Sequence, residues 1–576
     1  MSRMYQERAI DRHFAAFICH QATGGVSELF RLVVSLASSA VGQGSSCLNL
    51  QDIAEESIVI ENKEFRLPRL DALMELLKSA SVVSFPGGHF RPLVLDATGR
   101  LYLYRYWHYE QELQRTILRK AGAAFDTIDE TILLDALERL FPSSGGRESD
   151  RQKDATVVAL RRQFCVLSGA PGTGKTSTVV RILALLREQK WGMKQRIAMA
   201  APTGKAAARL KTSISDIKRT LDCSEEVKSA IPDEVVTIHR LLGTISGSTR
   251  FRHSASNPLP FDTVIIDEAS MVALPLMSLL VTALKADARL ILLGDHNQLA
   301  SVEAGSVFGD ICSAGSENDA SPLSNSMVLL EKNYRFHPGS GIAEISRAVN
   351  EGLEREAVNL LKRSRSSGVT WQELPAPEEL QHALANKAVE GFHSYLDAAS
   401  PAEALERFDR FRILCALRDG PYGVSGLNRT VENILARKAL ISPASTFYRG
   451  RPLMITVNNY AMRLFNGDTG ILFPDPENGG SLRAFFFAPD GEIRSIAPER
   501  LPQHETAFAI TIHKSQGSEF DRLLMLLPPI DSEILTRELI YTGITSAKES
   551  VEIWANEEVF CAAVKKQTKR SSGLHF

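Results

Sequence analysis

Gly169-Ala-Pro-Gly-Thr-Gly-Lys-Thr176 is the stretch that decides the fold. It fits G-x-x-x-x-G-K-[ST], follows the apolar run Phe164-Cys-Val-Leu167 and opens the helical stretch Thr176 to Arg187. Glycines let a backbone wind closely round phosphate oxygens with its N–H groups pointing inward, and the helix behind them adds a favourable dipole. Gly169, Ala170, Pro171, Gly172, Thr173, Gly174, Lys175 and Thr176 are therefore the expected nucleotide cradle. Lys175 would bring charge to the β and γ phosphates of ATP, and Thr176 a hydroxyl to Mg2+. Downstream, Thr263-Val-Ile-Ile-Asp-Glu268 is an apolar strand ending in two acids. An isolated Asp-Glu after a strand more often caps a helix or faces solvent, but a preceding phosphate loop reverses that reading. Asp267 would hold Mg2+, directly or through water, and Glu268 would orient and deprotonate the attacking water.

Outward from these motifs, residues 150 to 335 alternate short apolar runs with helical stretches, the pattern of a parallel sheet wrapped by helices. Expected strands are Phe164 to Leu167, Arg196 to Ala200, Thr263 to Ile266 and Arg289 to Leu293, with the chemistry in loops beyond their carboxyl ends. The polar stretch Lys362-Arg-Ser-Arg-Ser-Ser-Gly368 reads as a linker to a second unit of the same kind, with strands near Phe411 to Cys415, Phe508 to Ile512 and Arg522 to Leu526. Residues 441 to 505, rich in Gly, Pro and Asn, read as a small β insertion. Phe30, Val33, Val34, Ala37 and Val41, and then Leu70, Leu73, Leu76 and Leu77, recur at helical spacing, so residues 1 to 115 read as a separate helical unit. Leu101 to Tyr109 alternates like a strand before a charged helix from Glu110 to Lys120, and the tail Lys565 to Phe576 is expected to fray.

Bulk properties exclude several classes. With 576 residues, 44% hydrophobic and 23% charged, and no apolar run of membrane-spanning length, the chain is expected to be a soluble multidomain protein. Its first residues lack the apolar segment of a secretory signal, which points to a cytoplasmic location without a membrane partner. The seven cysteines are scattered, as expected of reduced thiols rather than a metal site. A net charge of −2 means that any nucleic acid must be held in a locally basic groove.

A phosphate loop alone defines only a nucleotide hydrolase. The later segments narrow the class: Ala201-Pro-Thr-Gly-Lys-Ala-Ala-Ala-Arg209, Thr237-Ile-His-Arg-Leu-Leu-Gly243, Gly294-Asp-His-Asn-Gln-Leu-Ala-Ser-Val-Glu-Ala-Gly305, Asn333-Tyr-Arg335, Ile512-His-Lys-Ser-Gln-Gly-Ser-Glu-Phe520 and Tyr541-Thr-Gly-Ile-Thr545. In this order they resemble superfamily 1 DNA helicases, and more closely the RecD family, the alpha subunit of RecBCD exonuclease V. Asp11-Arg-His-Phe14 and Tyr104-Arg-Tyr-Trp107 resemble that family's amino-terminal domain more weakly.

The resemblance implies an α/β architecture of two RecA-like P-loop motor domains, 116–345 and 346–576, behind a helical partner-docking domain, 1–115. It further implies a small strand-separating pin near 237–260 and an SH3-like β insertion near 441–505. It puts Gln152 at the adenine, Gln298 at the γ-phosphate as a sensor linked to DNA, and Arg335 at the same phosphate as a permanent forked cation. Gln152 by itself would equally pass for an exposed helix residue. Thr203, Lys205, His239, His513 and Lys514 fall on segments resembling DNA-facing motifs, suited to sequence-independent backbone contacts.

The implied function is ATP-dependent 5′ to 3′ translocation on single-stranded DNA from duplex ends, within a heterotrimer with RecB-like and RecC-like subunits acting in double-strand-break repair. No nuclease cluster is visible here. Two other classes remain open: a conjugation-type helicase, for which His13 and His20 make no relaxase metal cluster, and an assembly subunit whose ATP site is regulatory. One departure from the family stands out. Ser546 occupies the place where such helicases usually carry an arginine reaching the γ-phosphate, so hydrolysis is expected to be attenuated unless Arg335, Arg537 or Lys548 substitutes.

Overall fold

Alternate residues of the strand Phe164–Gly169 enter two different cores: Phe164 and Val166 join one, Cys165 and Leu167 the other. The strands Ile197–Ala201, Thr263–Ile266 and Arg289–Gly294 divide their side chains in the same way. Both faces are thus covered, which is why these runs are continuously apolar rather than alternating with polar residues. The structure, a computed structural model, describes residues 3–60, 63–141, 151–317, 321–336, 339–363, 368–459, 461–488 and 492–576.

The first sheet has six parallel strands, in the order Val235–Thr237, Ile197–Ala201, Thr263–Ile266, Arg289–Gly294, Phe164–Gly169 and Met327–Leu330. The helix Lys175–Glu188 covers one face, and the helix Tyr104–Ala121, through Leu113 and Ile117, covers the other. That helix begins at Tyr104, earlier than the alternating aromatics suggest, and the strand before it is only Arg100–Leu103. Tyr106 packs into the core beneath the sheet, so part of the aromatic cluster is ordinary packing.

A second, five-stranded parallel sheet runs in the order Val369–Gln372, Ala547–Trp554, Phe520–Leu526, Phe411–Cys415 and Ala509–Thr511. Inserted between its strands, five antiparallel strands from Pro452–Ile455 to His504–Thr506 form a sheet of their own around Leu453, Ile455, Leu472 and Phe486. Of the linker expected at 362–368, Lys362 and Arg363 end the helix Glu354–Arg363, while 364–367 lie outside the described residues.

The amino-terminal hundred residues contain the expected helices, among them Glu28–Gly42 and Leu70–Lys78, and add short strands in a three-stranded and a four-stranded sheet. In the segment 237–260, Thr244 and Phe251 form an antiparallel bridge whose intervening residues are largely exposed.

The carboxyl-terminal tail corrects one expectation. Beyond the helix Glu557–Lys565 it has no regular secondary structure, yet it is docked rather than frayed. Leu574 is buried in the core of the first sheet, and Gly573 N–H and the Ser572 hydroxyl donate to the buried Glu110 carboxylate. Ser571 exchanges hydrogen bonds with Ser45 and Ser46.

Candidate active site

The phosphate loop turns tightly because Gly172 and Gly174 adopt φ of 87° and 83°, in the left-handed region open to glycine. Space is also limiting, since a Cβ at Gly172 would stand 2.5 Å from Cβ of Arg335, and one at Gly174 would stand 2.4 Å from Nε2 of Gln152. Lys175 begins the helix, and its ammonium donates to the carbonyls of Gly169 at 2.5 Å and Ala170 at 3.2 Å. Gln152 donates to the Thr173 carbonyl and accepts from Arg181, so its amide is engaged with the loop from a buried helix face.

Asp267 and Glu268 follow the neighbouring strand Thr263–Ile266, and Glu268 takes φ 50° and ψ 41°. A left-handed non-glycine residue costs on the order of 1–3 kcal/mol, held here by the Glu268 N–H donating to Oδ1 of Asp267 at 2.9 Å. Burial raises the pKa of both carboxyls. For Glu268, burial and then the charge of Asp267 push it up to about 7. Asp295, at the end of the strand Arg289–Gly294, is a third buried acid raised by desolvation, and it accepts from the Tyr541 hydroxyl at 2.9 Å. Lys175 opposes the shifts at all three acids, joined by Arg209 at Asp267 and Glu268.

Gly172, Gly174, Lys175, Asp267 and Glu268 line a cavity of about 370 Å³ between the two parallel sheets, which also takes in Thr176, Gln298 and Arg335 from the first unit, whereas Gln152 and Asp295 lie outside its lining. The second unit contributes Gln516, Glu519, Thr542 and Ser546. Segments of the two units interlock beside it: Leu299 N–H donates to the Thr542 hydroxyl, and Gln516 donates to the Leu299 carbonyl.

Arg335 is anchored at one end, Nη2 donating to Glu519 Oε1, while its buried Nη1 has no hydrogen-bond partner among the described residues. Arg209 also pairs with Glu519. Burial alone would raise the Glu519 carboxyl, but Arg209 and Arg335 hold it below its ordinary value. Arg209, Glu519 and Asp295 were not singled out from sequence, although all three lie within motifs that were. The available signal was a charged residue inside an otherwise small or polar motif.

Ser546 ends the helix Arg537–Thr545, its hydroxyl donating to the Thr542 carbonyl at 2.8 Å. Of the expected substitutes for a cation there, only Arg335 lines the cavity. Arg537 is spent on the carbonyls of Val564 and Asn350, and Lys548 lies beside Asp521 at 3.4 Å.

None of the residues expected to face DNA lines this cavity. Thr203 caps the helix Gly204–Thr220 by accepting from Ala206 N–H. Lys205 reaches the second unit, its ammonium 5.7 Å from the centroid of the Phe520 ring and its pKa lowered by burial. His239 packs against Phe251, and burial lowers its pKa and that of His513. Lys514 donates to Asn466 of the antiparallel insertion.

Comparison with known proteins agrees with this arrangement. Residues 152–304 match the AAA domain family, and residues 506–553 match the UvrD-like helicase C-terminal domain. With the two parallel sheets and the phosphate loop, they define the class as an ATP-dependent DNA helicase. Residues 6–102 match the family described as RecBCD enzyme subunit RecD, N-terminal domain. The chain is 38% identical, over 98% of its length and 93% of the relative's, to RecBCD enzyme subunit RecD of Mycobacterium tuberculosis. It is 32% identical to the protein of that name from Haemophilus influenzae, over 98% of this chain and 96% of that one. The chain belongs to the RecD family. A solved Pif1 helicase structure covers 72% of the chain and is itself covered over 94%, at 17% identity and a TM-score of 0.38, too loose a likeness to bear on function.

Proposed function

We propose that the cavity between the two sheets binds and hydrolyses ATP with Mg2+, and that the cycle drives the chain 5′ to 3′ along single-stranded DNA from duplex ends. The observation that carries this reading is the meeting of Lys175, Asp267, Glu268, Gln298 and Arg335 with Thr542 and Ser546 in one cavity. A ligand there touches both units, so its turnover can change their separation.

The loop 169–176 would wrap the phosphates and Lys175 would neutralise the β and γ oxygens, with Gln152 beside the loop for the adenine. Thr176 and Asp267 suit a hard divalent ion: a hydroxyl and a buried carboxylate, both oxygen donors, line the same cavity. Bound there, Mg2+ would neutralise charge on the phosphates. Glu268 orients a water and takes its proton as the water oxygen attacks the γ-phosphorus and the bond to the β–γ bridging oxygen breaks, leaving ADP and phosphate. The Nη1 of Arg335, without a partner among the described residues, meets charge growing on the transferred group, and Gln298 reports the state of that phosphate to the loop that touches Thr542.

Thr203, Lys205, His239, His513 and Lys514 would track the DNA backbone, the 237–260 segment would part the strands as a pin, and the 441–505 insertion would act as the SH3-like module. The domain limits 1–115, 116–345 and 346–576 belong to the same proposal. The relatives' name carries a further inference, that the chain works in a heterotrimer with RecB-like and RecC-like subunits in double-strand-break repair and recombination, in the cytoplasm. Among the described residues, no helix is long and apolar enough to cross a membrane.

Unwinding assays on duplexes with a single overhang test the reading. A 5′ overhang should support ATP-dependent unwinding that Lys175→Ala abolishes, and efficient unwinding from a 3′ overhang alone would overturn the polarity.

A further inference from the structure

The segment Asp295–Gly305 carries Gln298 and is held at both ends. Its first half is tied to the second unit, through the Tyr541 hydroxyl on Asp295, the Thr542 hydroxyl on Leu299 N–H and the Gln516 amide on the Leu299 carbonyl. Its second half is tied elsewhere. Gly305 N–H donates to the Gly44 carbonyl of the amino-terminal domain at 2.9 Å, and the Arg570 guanidinium donates from Nη1 to the carbonyls of Glu303 and Gly305, each at 3.2 Å. Arg570 lies so close over Gly44 that a Cβ there would stand 2.8 Å from its guanidinium carbon.

The tail is fixed on each side of this contact. Upstream, Thr568 donates to Glu538 and Lys566 pairs with Asp531. Downstream, Ser571, Ser572 and Gly573 bond Ser45, Ser46 and Glu110, and Leu574 is buried. Asp310 lies within electrostatic reach of Arg570 and favours its charge, although burial pushes the Asp310 carboxyl up to about 7. The chain after the last helix therefore leaves the second unit, crosses the exit of the Gln298 loop, bonds Ser45 and Ser46 of the amino-terminal domain through Ser571, and packs its last residues into the core of the first sheet.

We propose that the tail Lys566–Phe576 is a positioning strap for the Gln298 loop, acting through Arg570, which couples the amino-terminal domain and the second unit to the nucleotide site. Arg570 lines no part of the cavity and touches no reacting atom. It fixes two carbonyls whose placement sets how far the loop can move when the cleft closes. The proposal rests on the motor reading above, but its structural half can be tested without activity.

The experiment compares the full chain with Arg570→Ala and Arg570→Lys by amide hydrogen exchange and by ATPase with and without single-stranded DNA. Arg570→Ala should speed exchange at Gly305 about tenfold or more while the strand Phe164–Gly169 keeps its protection. It should also cut DNA-stimulated kcat about tenfold with KM for ATP changed less than about twofold, and Arg570→Lys should recover most of both. Unchanged exchange at Gly305 would overturn the proposal, as would unchanged DNA-stimulated kcat. Exchange rising equally across the sheet would make Arg570 merely structural and also overturn it. A wild-type chain without any DNA-stimulated hydrolysis would instead count against the motor reading, and exchange at Gly305 would then decide whether the strap exists.

Discussion

The two walls of the cavity differ in charge. The wall built on the first sheet brings Lys175, Arg209 and Arg335 together with Asp267 and Glu268, whereas the facing wall brings one acid, Glu519, with neutral Gln516, Thr542 and Ser546. Where a second cation would face the phosphate, a serine hydroxyl bonds its own helix. Chemistry is thereby concentrated on one wall, and the other wall works through contact: Thr542 and Gln516 grip the Gln298 loop, and Glu519 holds both arginines. On the proposed reading, one wall reacts and the other senses and moves.

The largest effect should come from the reactive wall. On the proposed reading, Lys175→Ala removes the charge at the β and γ phosphates, and Glu268→Gln removes the water-orienting base. Each should lower DNA-stimulated kcat by on the order of 10³-fold or more, with the Glu268 variant still binding ATP in an equilibrium assay. Near-normal turnover in either variant, purified free of host ATPases, would erase the contrast between the walls.

Ser546→Arg sharpens the comparison from the other side. Placing a forked cation on the second wall should raise DNA-stimulated kcat about tenfold, with KM for ATP within about twofold, because the new contact forms mainly as charge develops on the transferred group. A wild type that is already fast and indifferent to Ser546→Arg would mean that the first wall suffices.

How much of this contrast could be read in advance depended on whether a role was local. The phosphate loop, Asp267 and Glu268 were legible because each lies at the end of an apolar strand, where composition and motif coincide. Ser546, at the end of the helix Arg537–Thr545, was legible as a departure only against the family pattern. The Arg209–Glu519–Arg335 cluster was not, because its members come from three segments that meet only in the fold. Apart from Arg100–Leu103, the short amino-terminal strands, two to four residues each, fall below the length at which alternation can be recognised. The tail Lys-Lys-Gln-Thr-Lys-Arg-Ser-Ser-Gly-Leu-His-Phe has the composition of a frayed end. What docks it is Glu110, a buried acid far away in sequence whose burial is tolerable only because Ser46, Ser572 and Gly573 donate to it.

Two smaller effects probe the sensing side. Leu574→Ala should destabilise the chain by about 2–3 kcal/mol through loss of burial, measured as a shift in denaturant midpoint, while leaving KM for ATP unchanged. A shift near zero would return the tail to the frayed state expected from its composition. Affinity for single-stranded DNA should fall steeply with salt despite the near-neutral chain, and Lys514→Ala should reduce the slope of log K against log[salt] by about one. An unchanged slope would remove Lys514 from the phosphate contacts.

The most direct test of the division of labour is single-turnover ATP hydrolysis by Arg335→Ala with saturating single-stranded DNA. If Arg335 is the cation that meets the γ-phosphate, and Ser546 leaves no substitute on the opposite wall, the rate should fall by on the order of 10³-fold while ATP still binds. A rate close to that of the wild type would contradict it.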